Sequence, residues 1–270
     1  MSQQRVAVVT GISSGIGRAT AAELAERGFR VFGTVRAAGS TALPGVEQVV
    51  LDVRDDESVK RAIEEVLAGS GRIDVLVNNA GSGILGAIEE TDMAQARDLF
   101  DVNFFGAVRM TRAVLPTMRA QRSGRVVFVS SVLGFLPAPY MGFYAASKHA
   151  IEGYAESLDH EVRGLGIHAI LVEPTFMKTR LDSNSATAAQ NIGDYADARA
   201  RVGARINANV ATGGAPSVVA AVIAEALADQ HPRVRYQVGK GAGTLAKLRS
   251  FLPARMFDRS LRKQFHLEAS

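Results

Sequence analysis

The chain has 270 residues, 47% of them apolar, with 31 Lys or Arg against 27 Asp or Glu and a formal charge of +4. That composition excludes a disordered or collagen-like chain, and the length suffices to bury a sizeable core. Cysteine is absent, which excludes disulfides, thiolate nucleophiles and thiolate metal sites while leaving the redox compartment open. The surplus charge is concentrated at one end. Residues 231–270 hold nine basic and two acidic side chains, a net of +7, and the remainder carries −3. A nucleic-acid binder would spread its cations over a face of the whole domain, so a nucleic-acid partner is set aside. No apolar run approaches the roughly 20 residues that cross a bilayer. The start, Met1-Ser2-Gln3-Gln4-Arg5, lacks the apolar core of a signal peptide. The expectation is a cytoplasmic protein.

In chain order, runs rich in Val, Ile, Leu and Phe at 6–10, 30–35, 48–52, 75–78, 126–130 and 168–172 read as strands buried on both faces. Helical patterns occupy 16–27, 57–67, 92–119, 144–163 and 217–228. The first ends at Gly28, a good C-terminal cap, and the second follows Asp55 and Asp56, either of which can cap its start. The third is long enough for two helices in succession, and the last follows Pro216. This alternation predicts an α/β fold: a doubly wound, Rossmann-like parallel sheet with helices on both faces, in a single domain over 1–270. Residues 181–215, rich in Ala, Asn, Ser and Gly, follow the strand at 168–172 with little periodicity. Ligands of parallel sheets bind outside the carboxyl ends of the strands, so this segment is read as a substrate lid. After a strand-like run at 236–238, residues 240–270 form a basic amphipathic extension, broken by Pro253 into two short helices. Three readings of it stand in order of preference: packing over the substrate site or sheet edge, a subunit interface, and attachment to an anionic membrane surface.

The segment Thr10-Gly11-Ile12-Ser13-Ser14-Gly15-Ile16-Gly17 joins the first strand to the first helix. Gly11 permits the tight turn, Gly15 lets backbone approach a ligand, and Gly17 allows close helix–strand packing. The helix start then presents unpaired N–H groups to a pyrophosphate. The spacing is neither the usual G-x-G-x-x-G nor a P-loop, since no Gly-Lys-Ser/Thr follows. At the end of the second strand, Val35 supplies no carboxylate for a ribose 2′-hydroxyl, whereas Arg36 supplies a cation for a 2′-phosphate. NADP(H) is therefore expected in preference to NAD(H).

Tyr144 and Lys148 are four apart and share a helix face. A phenol with an unperturbed pKa near 10 is a poor base at neutral pH, and an adjacent ammonium favours its ionised form. The pair suits general acid–base chemistry at a carbonyl or alcohol. Ser131, at a strand end 13 residues before Tyr144, offers a hydroxyl to an oxygen that gains negative charge. The five histidines form no cluster, so no catalytic metal is expected.

These features, with Asp52-Val53, Asn78-Asn79-Ala80-Gly81, Asn103, Ser130-Ser131, Tyr144-Ala145-Ala146-Ser147-Lys148, and Pro174 with Thr179 beyond it, resemble the short-chain dehydrogenase/reductase family in its single-domain branch. The resemblance covers about residues 5–180. Thr34-Val35-Arg36 and Arg235-Tyr236-Gln237-Val238-Gly239 are most similar to hydroxysteroid- and retinol-dehydrogenase-like members. The resemblance implies a catalytic set of Asn103, Ser131, Tyr144 and Lys148, with Asn103 anchoring a water chain that resupplies protons through Lys148. Cofactor contacts are implied for Gly11, Ser13, Ser14, Gly15, Ile16, Gly17 and Arg36, with Asp52 and Val53 near the adenine. Asn78, Asn79, Ala80 and Gly81 would bound the adenosine side. Tyr144 and Lys148 would reach the nicotinamide ribose, and Pro174, Met177 and Thr179 the carboxamide region. Two positions depart from the pattern: Thr175 replaces the usual glycine, and Ser14 stands where many NADP-preferring members carry a second cation. The expected activity is interconversion of a carbonyl and an alcohol on an apolar small molecule by a homodimer or homotetramer. The alternative is a catalytically silent NADP-binding sensor or scaffold, which would have no need of the intact tetrad.

Overall fold

In the computed structural model, which describes residues 4–37, 39, 42–179, 185–265 and 267, side-chain alternation along the strands sorts the core into two layers. In β1 (Val6–Val9), Val6 and Val8 enter one layer while Ala7 and Val9 enter the other. A strand covered on both faces has no polar side to show. The elements that follow are α1 (Gly15–Glu26), β2 (Arg30–Val35), β3 (Val46–Val50), α2 (Asp56–Ser70), β4 (Val75–Asn78) and the short β5 (Ile84–Leu85). Next come α3 (Met93–Phe100), α4 (Gly106–Gln121), β6 (Gly124–Val129), α5 (Gly142–Val162), β7 (Ile167–Pro174) and the short β8 (Ala186–Thr187). The chain continues through α6 (Ala196–Ala211), α7 (Pro216–Ala228), β9 (Arg235–Val238), α8 (Ala242–Phe251) and α9 (Ala254–Gln264).

Seven strands form one parallel sheet in the order β3-β2-β1-β4-β6-β7-β9. The α/β, doubly wound expectation holds, with each predicted strand present and its ends within two residues of those expected. Leu24 of α1 and Ile223 of α7 fill one layer, and Ala62 of α2, Met110 of α4 and Ile151 of α5 fill the other. The direction of travel reverses between β1 and β4, and a ligand crevice opens at such a reversal, beyond the carboxyl ends of the strands. Val77 and the Thr10 amide are hydrogen-bonded across this junction at 3.0 Å.

Local chemistry accounts for the helix limits. Asp55 caps α2, accepting from the Glu57 amide at 3.0 Å, and Gly71 closes it in a left-handed conformation. Asp92 caps α3 through the Gln95 amide at 2.7 Å. The predicted 92–119 helix is two helices, joined by a π-helical turn at Asp101–Phe105 that carries Asn103. An i+5 bulge of this kind recurs beside functional sites. Residues 181–184 of the segment expected to form a lid lie outside the described set, but the rest of the segment is more regular than its composition implied. Sixteen of its residues form α6, which buries Val202 and Ile206. Two sparse apolar positions in an Ala- and Arg-rich stretch give a weak period, yet those residue types favour helix. Glu90 and Gln95 anchor this segment. Glu90 accepts from the Ile192 amide at 2.9 Å and pairs with Arg199, while Gln95 bonds the backbone of Thr187 and Ala189 at 2.9 and 2.8 Å.

Gly17 sits where α1 crosses the turn after β1, and a Cβ there would overlap the Gly11 carbonyl oxygen and the Asn79 side-chain amide. Gly153, in mid-α5, has nothing within 4 Å of such a Cβ. Gly17→Ala is expected to lower stability by about 1–3 kcal/mol, whereas Gly153→Ala should raise it by roughly 0.5–1 kcal/mol. Urea midpoints at constant slope read both changes, and equal effects at the two positions would refute the packing argument.

Candidate active site

The crevice at the β1/β4 junction opens into a cavity of about 870 Å³ that runs from the end of β2 to α8 and α9. One end is built by the glycine turn. Gly11 has φ +73°, a left-handed conformation suited to glycine. The Thr10 hydroxyl accepts from the Asn79 and Ala80 amides, both at 2.9 Å, and the Asn79 side chain donates to the carbonyls of Thr10 and Gly11 at 2.8 and 3.1 Å. The turns after β1 and β4 thus brace each other. Their backbones can approach a ligand because Gly15 places no side chain against Thr179, whose Cβ would be 3.3 Å from one.

At the end of β2, Arg36 is exposed on the cavity wall, and among the described residues it makes no ion pair. Asp52, nearby, is held by Arg54, whose Nη2 lies 2.6 Å from Oδ2. That bond keeps the Asp52 carboxyl below the ordinary carboxylate range despite partial burial. Arg54 also lines the cavity and was missed in the sequence. Its position two residues past the strand expected at 48–52 is the only local signal.

At the other end, Tyr144 and Lys148 lie one turn apart on α5, and both line the cavity with Ser131. The Lys148 ammonium is 5.7 Å from the centre of the Tyr144 ring and donates to the Val129 carbonyl at 2.8 Å. Burial lowers its pKa to about 8, opposed by the negative charge of Glu152 one turn further on. Ser131 has extended backbone, and its Oγ accepts from the Leu133 amide at 3.1 Å. Its proton is thereby left for another acceptor. The surrounding wall is apolar, with Leu133, Leu136, Met141 and Phe176.

Of the residues singled out from the sequence, all but Gly17, Asn78 and Asn103 line this cavity. Gly17 packs behind the turn, and Asn78 donates to Thr111 Oγ1 at 3.2 Å within the core. Asn103 is buried and bonded at both ends of its amide. Its Oδ1 accepts from the Ser82 amide at 2.8 Å, and its Nδ2 reaches the Ser82 carbonyl at 2.9 Å and Ser147 Oγ at 3.1 Å. Ser147 in turn donates to the Tyr144 carbonyl at 2.7 Å. Asn103 therefore ties the turn after β4 to the helix that carries Tyr144. Thr175 is accommodated without left-handed backbone, because Gly239 opposite it, at φ +102°, leaves room for the threonine hydroxyl.

A buried ionic cluster underlies Lys148. Ser130 donates to Glu152, whose other oxygen pairs with Arg235; Arg235 also pairs with Glu173 and, at 2.8 Å, with Glu156. Gln237 donates to Glu173 at 2.6 Å. Burial, together with the charge of Glu173, raises the Glu152 pKa to about 7 against the pull of Ser130 and Arg235. Burial works against the Arg235 charge, yet the three carboxylates hold its pKa above the ordinary value. Glu173 in an otherwise apolar strand, and Glu152 four residues from Lys148, were the available signals.

The residues present fit a nicotinamide adenine dinucleotide. A braced glycine turn opens a helix, a cation stands at one end of a long cavity, and a phenol, an ammonium and a hydroxyl stand at the other. The known proteins agree. The family described as short chain dehydrogenase matches residues 5–190. The chain is 40% identical to 3-ketodihydrosphingosine reductase of Bacteroides thetaiotaomicron, covering 96% of this chain and 97% of that one. It is also 40% identical to retinol dehydrogenase 8 of Homo sapiens, there over 63% of this chain and 58% of the relative. A short-chain dehydrogenase/reductase of Burkholderia phymatum, solved in complex with NAD, superposes with a TM-score of 0.81 at 27% identity, covering 96% of this chain and 95% of that one. The chain belongs to the short-chain dehydrogenase/reductase family. It is an oxidoreductase acting on CH–OH groups with NAD(P).

The cluster under Lys148 has a pH signature. Burial pushes the Glu152 carboxyl up to about 7 in the folded protein, above the 4.5 of an ordinary glutamate. The folded state therefore keeps a proton that the unfolded chain has released, and this contribution is complete below 4.5 and lost as pH rises through about 7. Arg235→Ala leaves the two buried carboxylates, Glu152 and Glu173, without their cation. It should cost about 3–5 kcal/mol above neutral pH, and less near pH 5, where Glu152 is protonated. Urea unfolding at both pH values measures this, and a pH-independent loss would contradict the assignment.

Proposed function

We propose that the protein reduces a ketone or aldehyde on an apolar, lipid-like small molecule with NADPH, Tyr144 acting as general acid. The observation that carries this reading is the shared cavity wall of Tyr144, Lys148 and Ser131, continuous with an apolar chamber bounded by Leu133, Leu136 and Phe176. The names of two relatives, a 3-ketodihydrosphingosine reductase and a retinol dehydrogenase, also point to long apolar substrates.

Bound NADPH supplies the hydride. Ser131 donates to the substrate oxygen as its negative charge grows, and Tyr144 delivers the proton that completes the alcohol. Lys148 favours the phenolate left behind. Because burial brings its own pKa to about 8, it can also pass a proton on near neutral pH. Asn103 acts at one remove, holding Tyr144 in register through Ser147. At the far end, Arg36 takes the 2′-phosphate, and Asp52 is already engaged by Arg54 and does not compete for the ribose. We read 181–215 as a lid over the substrate chamber, to which α6 contributes Arg205 and Asn209, and the whole chain as one domain around one sheet.

Tyr144→Phe should lower kcat for NADPH oxidation with a panel of long-chain ketones by roughly 10²- to 10⁴-fold, with a far smaller change in the Kd for NADPH. Retained turnover in this variant would dismiss Tyr144 as the acid. Arg36→Asp should shift the ratio of kcat/KM for NADPH over NADH toward NADH by roughly ten- to hundredfold. An unchanged ratio would show that Arg36 does not read the 2′-phosphate.

A further inference from the structure

The two C-terminal helices turn opposite chemistries inward and outward. Inward, α8 and α9 close the cavity: Leu245, Leu261 and Phe265 line it, and Ala242 and Phe257 pack against Val132 and Leu136. Outward, α9 presents Arg255, Arg259, Arg262 and Lys263, all exposed, with Asp258 as its one acidic residue. The outward face of α8 carries Lys247 beside Leu248 and Phe251. Phe251 is 85% exposed, Met256 59% and Leu248 41%. These three belong to the last turn of α8 and the first turn of α9, so they flank the Pro253 elbow. Phe251 is the most exposed of the large hydrophobics among the described residues, and an exposed apolar group gathered among cations marks an interaction site.

We propose that this elbow is a docking surface for an anionic lipid membrane, with Phe251, Met256 and Leu248 inserted at the headgroup level and the surrounding cations on lipid phosphates. Charge complementarity selects this occupant. A second copy meeting the same patch across a two-fold axis would set cation against cation. A polyanion such as nucleic acid would satisfy the charges but leave the apolar trio in water. An anionic bilayer supplies both, and stable peripheral binding takes two such signals together. For function the inference rests on the lipid-like substrate read above, since the docked helices are the wall that separates the cavity from the membrane. Docking itself needs no turnover.

The test uses the full chain, pelleted with vesicles of phosphatidylcholine alone or with phosphatidylglycerol as about a third of the lipid. Pelleting is expected with the anionic vesicles and should be released by salt. Phe251→Ser, and separately Lys247→Glu with Arg255→Glu, should each lower the partition coefficient by roughly tenfold or more. NADPH binding, read by fluorescence, should be unchanged in both variants and certifies the fold without relying on the substrate assignment. The proposal fails if the anionic vesicles do not retain the chain. It also fails if Phe251→Ser binds as well as the parent, which would mean charge alone, or if Phe251→Ser dissolves a dimer, which would mean that a second copy covers the elbow.

Discussion

A buried ammonium governs the architecture of this site. Lys148 is only 6% exposed, and taking such a charge out of water costs several kcal/mol unless other groups repay it. The Val129 carbonyl at the end of β6 makes the first repayment, and in doing so pins α5 to the sheet. Glu152 makes the second through space, but it is itself a buried carboxylate and needs Ser130 and Arg235. Arg235 in turn neutralises Glu173, which is wholly buried in β7. Each compensation creates the next, and the chain ends only where Arg235 reaches Glu156 near the surface. The placement of one cation beside a phenol ring thus dictates charged residues on α5, β7 and β9.

Rigidity at the phenol follows from the same economy of contacts. Tyr144 stands in the first turn of α5, where a helix ordinarily frays, yet that turn is fixed from three sides. Ser147 bonds back to its carbonyl, Asn103 holds Ser147, and the π-helical turn between α3 and α4 directs Asn103 at them. Tyr144 also belongs to one apolar cluster with Ile84, Leu99, Val202 and Ile206, so α6 and the phenol ring share a core. Movement of α6 would change the environment of Tyr144.

What was legible in the sequence is local, and what was not depends on distance or register. The glycine turn, the β4 end and the Tyr144/Lys148 pair each rest on neighbours within a few residues, and all sit where their spacing put them. The ionic cluster joins positions 62 and 83 residues apart, and no period or motif announces such pairing. Arg235 was visible in the run that resembles hydroxysteroid- and retinol-dehydrogenase-like members, but its partners were not. The π-helical turn differs from the α-helix around it by a single residue of register, which periodicity does not resolve. For Asn103 the resemblance implied a role but no partners, and its side-chain bonds to Ser82 and Ser147 join positions 21 and 44 residues away. Helix α6 shows a third kind of loss, since Val202 and Ile206 alone, in an alanine-rich stretch, give too few apolar positions to set a phase.

The closing helices are held less firmly than the strands they cover. Across α8 and α9, Ala242 and Phe257 are the buried residues, and Leu245 and Leu261 are only partly so. Little apolar area is therefore lost when this wall lifts, and segments with few buried contacts open at far lower free energy than the sheet behind them. On the proposed function, a long apolar substrate would cross that wall without first being solvated as a free monomer. Were the outer face docked on a bilayer, as proposed, opening would cost least there, because the inner residues that lift away would exchange one apolar contact for another. The few buried contacts that make these helices a poor structural cap would then serve the passage of the substrate.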